Sequence, residues 1–225
     1  MSDDYQSLMR PWLDAGDDED EAPPPEQRQG HSPAQVQAQY AAVAEAHRAL
    51  TECLEKDLLG YIHAQSADFF EELILDVVLA LGFAGRRRDL ARKIGRSGDG
   101  GIDGIIELDE LGLDAIYLQA KRFKPGAAVS APAVRDFIGS LETRRATKGI
   151  FVTTGDFTAR AREACETVSK RVVLINGKRL TELMIRHGIG TRVTESFQFK
   201  EVDVAYFQGR TSGASKSPAP IHSRK

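Results

Sequence analysis

Cysteine is scarce in this chain of 225 residues. Cys53 and Cys165 fall in separate helical patterns with no CxxC pair, which argues against a disulfide framework and a cysteine-based zinc site. Long apolar runs are missing as well. The best candidate, 73–83, carries Asp76 and Gly82 and falls short of the roughly 18 residues of a membrane span, so no membrane partner is expected. The first residues are acidic and lack a basic-then-apolar leader, so no secretory signal is read and the cytoplasm is the expected compartment. Nor is either sign of charge in large excess, because the net charge is only -3. Its distribution is uneven. Residues 1–30 hold nine acids against two bases, residues 208–225 hold four bases and no acid, and the middle is neutral. A nucleic-acid enzyme need not be basic throughout, since its metal-binding carboxylates offset its phosphate contacts; a local basic stripe is what counts.

Such a stripe is present. Arg86, Arg87, Arg88, Arg92, Lys93 and Arg96, interrupted by the single acid Asp89, lead into the stretch around which the chain is organised. That stretch is glycine-rich from Gly98 to Gly104 and delivers Asp103 to the start of a β-branched strand. A turn over 109–114 returns a second strand that carries Gln119 and Lys121 on one face, because alternate strand residues point the same way. An acid, a second oxygen ligand and a lysine converging at one sheet end suit hydrolysis of a phosphate ester with a divalent metal. The acid holds the metal and the lysine meets developing negative charge. Two rival readings compete. Asp99, Asp103, Gly104, Ile106 and Glu110 fall at calcium-loop positions one, five, six, eight and twelve, but Gly101 fails at position three. The flanks lack the helices that such a loop needs. A purely structural hairpin is the stronger rival, since glycine with aspartate is ordinary turn chemistry; Gln119 and Lys121 on the partner strand are what set this hairpin apart.

Gly98-Asp99-Gly100-Gly101-Ile102-Asp103-Gly104 followed by Gln119-Ala120-Lys121 resembles the Mrr-type restriction endonucleases, a branch of the PD-(D/E)xK nucleases in which glutamine often replaces the middle acid. The likeness extends from Asp68-Phe69-Phe70-Glu71 through 148–154 to 177–184. It implies an α/β fold with a mixed central sheet flanked by helices, and a metal-dependent endonuclease of restriction or antiviral defence acting on double-stranded DNA. It also implies that Mg²⁺, or Mn²⁺ in its place, is held by Asp103, the carbonyl of Ala120, and Gln119 or Glu71. Lys121 would steady the attacking hydroxide or the pentavalent charge. The basic stripe, with Arg122 after the catalytic lysine, would contact the DNA backbone. Glu71 has a second reading as the partner of Asp68 in a capping box at the start of a helix. The function has a second reading too: a catalytically silent nucleic-acid-binding or regulatory module on the same fold, since the Gln119 amide brings no charge to the metal.

In chain order, the acidic residues 1–32 with their run of prolines form a disordered tail. Residues 33–65 form a helix opened by Ser32-Pro33. Val36, Tyr40, Val43, His47, Leu50, Leu54, Leu58 and Tyr61 recur along it at spacings of mostly four and three. That seam suits either pairing into a homodimer or docking on the domain. Residues 66–207 form the nuclease domain, read as helix, three strands, helix, strand, helix, strand, helix, with a further edge strand expected over 193–204. Residues 208–225 form a flexible basic tail. Mrr-type enzymes often carry a separate recognition domain; the first 65 residues hold too little for one, so recognition is expected from a separate subunit.

Overall fold

The computed structural model describes residues 32–83, 88–93, 101–203 and 205–206. The expected acidic and basic tails, Arg86, Arg87, Arg96 and the 98–100 part of the glycine stretch lie outside the described residues. The chain divides into two units, 1–64 and 65–225.

In the described part of the first unit, helix α1 (Pro33–Ala64) runs for 32 residues. Its start is closed reciprocally. The Gln35 amide donates to Ser32 Oγ at 3.2 Å, and the Ser32 amide donates to Gln35 Oε1 at 2.9 Å. This is the serine-to-glutamine form of a capping box, and it satisfies two amides that the first turn leaves unpaired. Along the seam, Val36, Tyr40, Val43, Leu50, Leu54 and Tyr61 are exposed, whereas Leu58 is buried.

The second unit opens with α2 (Ala67–Ala80), capped by Ser66, whose hydroxyl accepts from the Phe69 amide at 3.1 Å. The expected capping box of Asp68 with Glu71 is therefore not formed. Ser66 already satisfies the first-turn amide, Asp68 lies inside the first turn, and Glu71 lies a turn further on, its carboxylate paired with Lys93 instead. Phe70, Leu73, Ile74, Leu75, Val77, Val78 and Leu79 are buried, and each contributes on the order of 1.5–3 kcal/mol on full burial. Leu81 ends the helix, and Gly82 follows in a left-handed conformation at φ 96°.

A short 3₁₀ turn (Arg88–Leu90) leads into β1 (Ala91–Lys93). Next come β2 (Gly104–Glu107) and β3 (Ala115–Lys121), joined by the expected turn. Asp109 organises that turn by accepting from the amides of Leu111, Leu113 and Asp114. The remaining elements are β4 (Ala128–Val129), α3 (Ala131–Thr143), β5 (Lys148–Thr153), β6 (Asp156–Phe157), α4 (Ala159–Glu166), β7 (Arg171–Ile175) and α5 (Gly177–His187). Asn176 is the N-cap of α5, its side chain accepting from the Arg179 amide, and Gly188 closes the helix in the left-handed region.

The main sheet has strand order β1-β2-β3-β5-β7. Its first three strands are antiparallel, whereas β3, β5 and β7 run parallel, the return crossings being made by α3 and α4. This is the mixed sheet flanked by helices expected from the sequence. A two-stranded accessory sheet, β4 with β6, was not expected; two-residue strands leave no periodic signal. The segment over 193–203 forms no strand, and Val193, Phe197, Phe199 and Val202 stay exposed. Its apolar residues give it strand propensity, but no neighbour supplies a ladder.

The core under α3 is set by three rings. Phe151 of β5 meets Phe137 edge-on at 5.4 Å and Phe157 at 5.5 Å. Gly149 lets the helix lie this close, because a β-carbon there would stand 2.7 Å from Leu141 Cδ1 and 2.8 Å from Phe137 Cζ. Gly149→Ala should therefore cost about 1–3 kcal/mol of stability by overpacking, read from the shift of the urea midpoint. An unchanged midpoint would mean that α3 can withdraw without loss.

Candidate active site

Asp103 is fixed at two points to the neighbouring strand. Its amide donates to the Leu118 carbonyl at 2.9 Å, and its carboxylate Oδ2 accepts from the Ala120 amide at 2.7 Å. The hairpin register pairs Gly104 with Leu118. Asp103 is thus carried one step beyond the strand proper, and its side chain reaches the end of β3 where Gln119, Ala120 and Lys121 lie. Sequence alternation placed Gln119 and Lys121 on one face. In the structure Gln119 is buried, at 7% exposure, while Lys121 lies at the exposed strand end.

Gly101 completes this pocket. It sits at φ 80°, a conformation that favours glycine, and a β-carbon on it would come within 2.4 Å of Gln119 Nε2 and push that amide aside. The other end of the Gln119 amide is the more telling. Its Oε1 is buried and lacks a hydrogen-bond partner among the described residues. An orphaned buried carbonyl oxygen costs on the order of 1–3 kcal/mol, a loss that a bound cation would relieve.

The remaining members arrive from β1 and α2. Glu71 Oε2 lies 3.0 Å from Lys93 Nζ, and the same ammonium lies 3.2 Å from Asp68 Oδ1. Burial pushes the Asp103 carboxyl up to about 6; the Ala120 amide opposes the rise, the Glu71 charge adds to it, and the ammonium groups of Lys121 and Lys93 pull it down. The field at Asp103 therefore registers all three charged neighbours. The expected candidates Asp103, Gln119, Ala120, Lys121 and Glu71 come together at one end of the hairpin.

The basic stripe is arranged otherwise than a row of free cations. Arg88 is ion-paired with Asp76, Arg92 with Glu107, and Lys93 with Glu71 and Asp68. Arg122 donates to the Gln65 carbonyl. The arginine pairs are largely exposed, and pairs of that kind are worth about 0–1 kcal/mol, so a phosphate can replace the carboxylate at small cost.

Two supporting features escaped sequence reasoning. Thr154 is buried, and its hydroxyl donates to the Phe123 carbonyl at 2.9 Å while accepting from the Phe123 amide at 2.9 Å. This clamp fixes the backbone two residues beyond Lys121, across a separation of 31 residues that no local pattern announces. The second is the Lys93 to Glu71 pair, for which a charged run gives no sign of which member turns inward.

Among the described residues no three His, Cys, Asp or Glu side chains cluster around a cation position. The oxygens that could hold an ion are mixed: the carboxylates of Asp103 and Glu71, the unpartnered Gln119 oxygen and the Ala120 carbonyl. All are hard oxygens, the set that suits Mg²⁺ or Mn²⁺ rather than a softer ion.

The restriction endonuclease family model for the Mrr catalytic domain matches residues 62–184. The Type IV methyl-directed restriction enzyme EcoKMrr of Escherichia coli (strain K12) is 38% identical over 164 residues, which cover 73% of this chain and 52% of that protein. The chain thus spans about half the length of this curated relative. Among solved structures, the MspJI restriction endonuclease in complex with a 27-mer oligonucleotide is 30% identical over 61% of this chain and 31% of its own, with a TM-score of 0.42. The DNA modification-dependent restriction endonuclease AspBHI is 22% identical over 61% of this chain and 36% of its own, with a TM-score of 0.47.

The raised Asp103 carboxyl makes a linkage prediction. Between its ordinary value of about 3.9 and its folded value of about 6, the folded chain holds the proton more tightly than the unfolded one. This group's contribution to stability therefore declines as pH rises through that window and stays low above it. In chelator, Asp103→Asn should melt higher than wild type at about pH 7.5, the gap closing below about pH 4. Melting temperature against pH measures it, and a gap independent of pH would contradict the assignment.

Proposed function

The chain belongs to the Mrr-type restriction endonuclease family, and from that premise we propose that it hydrolyses phosphodiester bonds of double-stranded DNA with Mg²⁺ or Mn²⁺, as a restriction or defence nuclease of the cytoplasm. The observation that carries the metal-dependent reading is the buried Gln119 oxygen without a partner beside Asp103. Asp103, Glu71, Gln119 Oε1 and the Ala120 carbonyl would hold the ion. When bound, such an ion supplies Lewis-acid polarisation of the phosphate and acidifies a water.

The chain's own residues do the rest. Asp103, held by the Ala120 amide, presents a carboxylate that cannot rotate away without breaking that bond. Lys121 sets its ammonium at the open end of β3, where negative charge develops on the phosphate as the bond breaks. The Thr154 clamp on Phe123 keeps that strand end from drifting. Arg88, Arg92 and Arg122 take phosphates of the flanking backbone, with Arg86, Arg87 and Arg96 extending the same run. Such contacts position the duplex without reading its sequence.

A catalytically silent DNA-binding module is the second reading, favoured by one observation: position 119 is an amide and brings no charge to the ion. The same assay separates the two. Supercoiled plasmid should be cut with Mg²⁺ or Mn²⁺ and left intact with EDTA, and Asp103→Ala should abolish cutting. Lys121→Ala should lose on the order of 10² to 10³ in rate with metal dependence little changed. Binding of duplex DNA with no nicking in any divalent metal would establish the silent module instead.

Two partners complete the reading. The exposed members of the α1 seam, Val36, Tyr40, Val43, Leu50 and Leu54, with spacings of mostly four and three, fit a second copy of this chain in a two-stranded coiled coil. Target choice would come from a separate recognition subunit. Light scattering should give a dimer mass for the full chain and a monomer mass for Val43→Glu with Leu50→Glu. A wild-type monomer at tens of micromolar would remove the homodimer.

A further inference from the structure

The acid that α2 brings to the site already has a cation beside it. Lys93 Nζ bridges Glu71 Oε2 at 3.0 Å and Asp68 Oδ1 at 3.2 Å, and lies 3.5 Å from the Asp68 carbonyl oxygen. Asp68 and Glu71 are three apart on one helix, so both project from the same face toward the strand that carries the lysine. The other two described members of the basic stripe use different acids: Arg88 pairs with Asp76 and Arg92 with Glu107. Lys93 alone among these three turns to the carboxylate proposed as a metal ligand.

The pair is also the better sheltered one. The side chains of Lys93 and Glu71 are 29% and 20% exposed, against 67% and 40% for Arg88 with Asp76. Glu71 and Asp103 act on each other as like charges, and the Lys93 ammonium acts on both. Without Lys93, Glu71 would lose its ion-pair partner, and only Lys121 would remain to offset the charge of Asp103.

We propose that Lys93 is the counter-cation of the metal-free site: it holds Glu71 beside Asp103, gives that carboxylate up when a divalent ion enters, and so sets the metal affinity without being a ligand. The proposal rests on the reading of Glu71 as a metal ligand. Asp68, whose side chain is 84% exposed, has a separate part, since it keeps the ammonium tethered once Glu71 is released. Lys93 is accordingly a positioning residue that acts through Glu71. Entry of the ion requires the Glu71 to Lys93 contact to open, so affinity is lowered by what that ion pair contributes.

The test is binding of Ca²⁺, used as a probe of oxygen-ligand sites, to the full chain by titration calorimetry, with thermal melting in chelator and at saturating Ca²⁺. Lys93→Met should bind Ca²⁺ about two- to fivefold more tightly than wild type, roughly the worth of one partly exposed ion pair. It should melt below wild type in chelator and recover the difference when Ca²⁺ is added. Lys93→Arg, which keeps the charge, should stay close to wild type in both measurements. Should Lys93→Met fail to fold, Lys93→Gln makes the same test with a polar side chain of similar reach. Affinity unchanged or weakened in the neutral variant overturns the proposal; unchanged Ca²⁺ affinity with weaker DNA binding would make Lys93 a phosphate contact. Glu71→Gln separates this failure from that of the underlying reading. Weakened Ca²⁺ binding in that variant preserves Glu71 as a ligand, whereas wild-type binding removes it.

Discussion

The hydrogen bond from the Ala120 amide to the Asp103 carboxylate is the constraint on which the site depends. It ties the glycine-rich approach to β3 in the register that places Asp103 beside Gln119 and one residue from Lys121. Together with the Asp103 amide on Leu118, it extends the hairpin ladder past the last paired residue of β2. A strand slipped by one residue would send Gln119 and Lys121 to the opposite face, so this bond serves the chemistry by serving the register. Gly101 reinforces it from the other side, since a β-carbon there would push the Gln119 amide aside.

What this arrangement gives the site, it takes from stability. Burial raises the Asp103 carboxyl to about 6, and the Gln119 oxygen stays unpartnered among the described residues. Both are local costs of a folded chain that holds polar atoms away from water. The offset lies elsewhere: the apolar face of α2, the Phe137, Phe151 and Phe157 stack, and the Gly149 contact that lets α3 approach the sheet. Sites of this kind are supported by a framework that is well packed around them.

The sequence made the order of elements and the hairpin legible, because each rests on a local signal: glycine before Asp103, β-branched residues in β2, a polar turn, alternation in β3, and helical spacing in α2 and α3. Its failures share a cause as well. The capping box read into Asp68 and Glu71 obeys the right spacing, but Ser66 stands one residue before the helix and caps it more directly. The strand read into 193–204 has the residues of a strand and no neighbour to pair with. Thr154 and Phe123, and Lys93 and Glu71, are joined only by the way the sheet folds, and neither pair leaves a mark on a window of ten or twenty residues. Local propensity fixed what local forces decide; the wiring between distant side chains is a property of the fold.

Charge counting around Asp103 accounts for the residue that departs most from the wider nuclease pattern. One carboxylate, Glu71, and two ammonium groups, Lys121 and Lys93, act on Asp103, and Lys93 is shared with Asp68. A carboxylate at position 119 would add a negative charge at a place only 7% exposed, next to an acid that burial already disfavours. Placing an unpaired charge there is far more costly than placing an amide. Glutamine keeps an oxygen in that position without adding a charge beside Asp103. The neighbouring negative charge comes instead from Glu71, on a helix outside the hairpin, where it is ion-paired with Lys93.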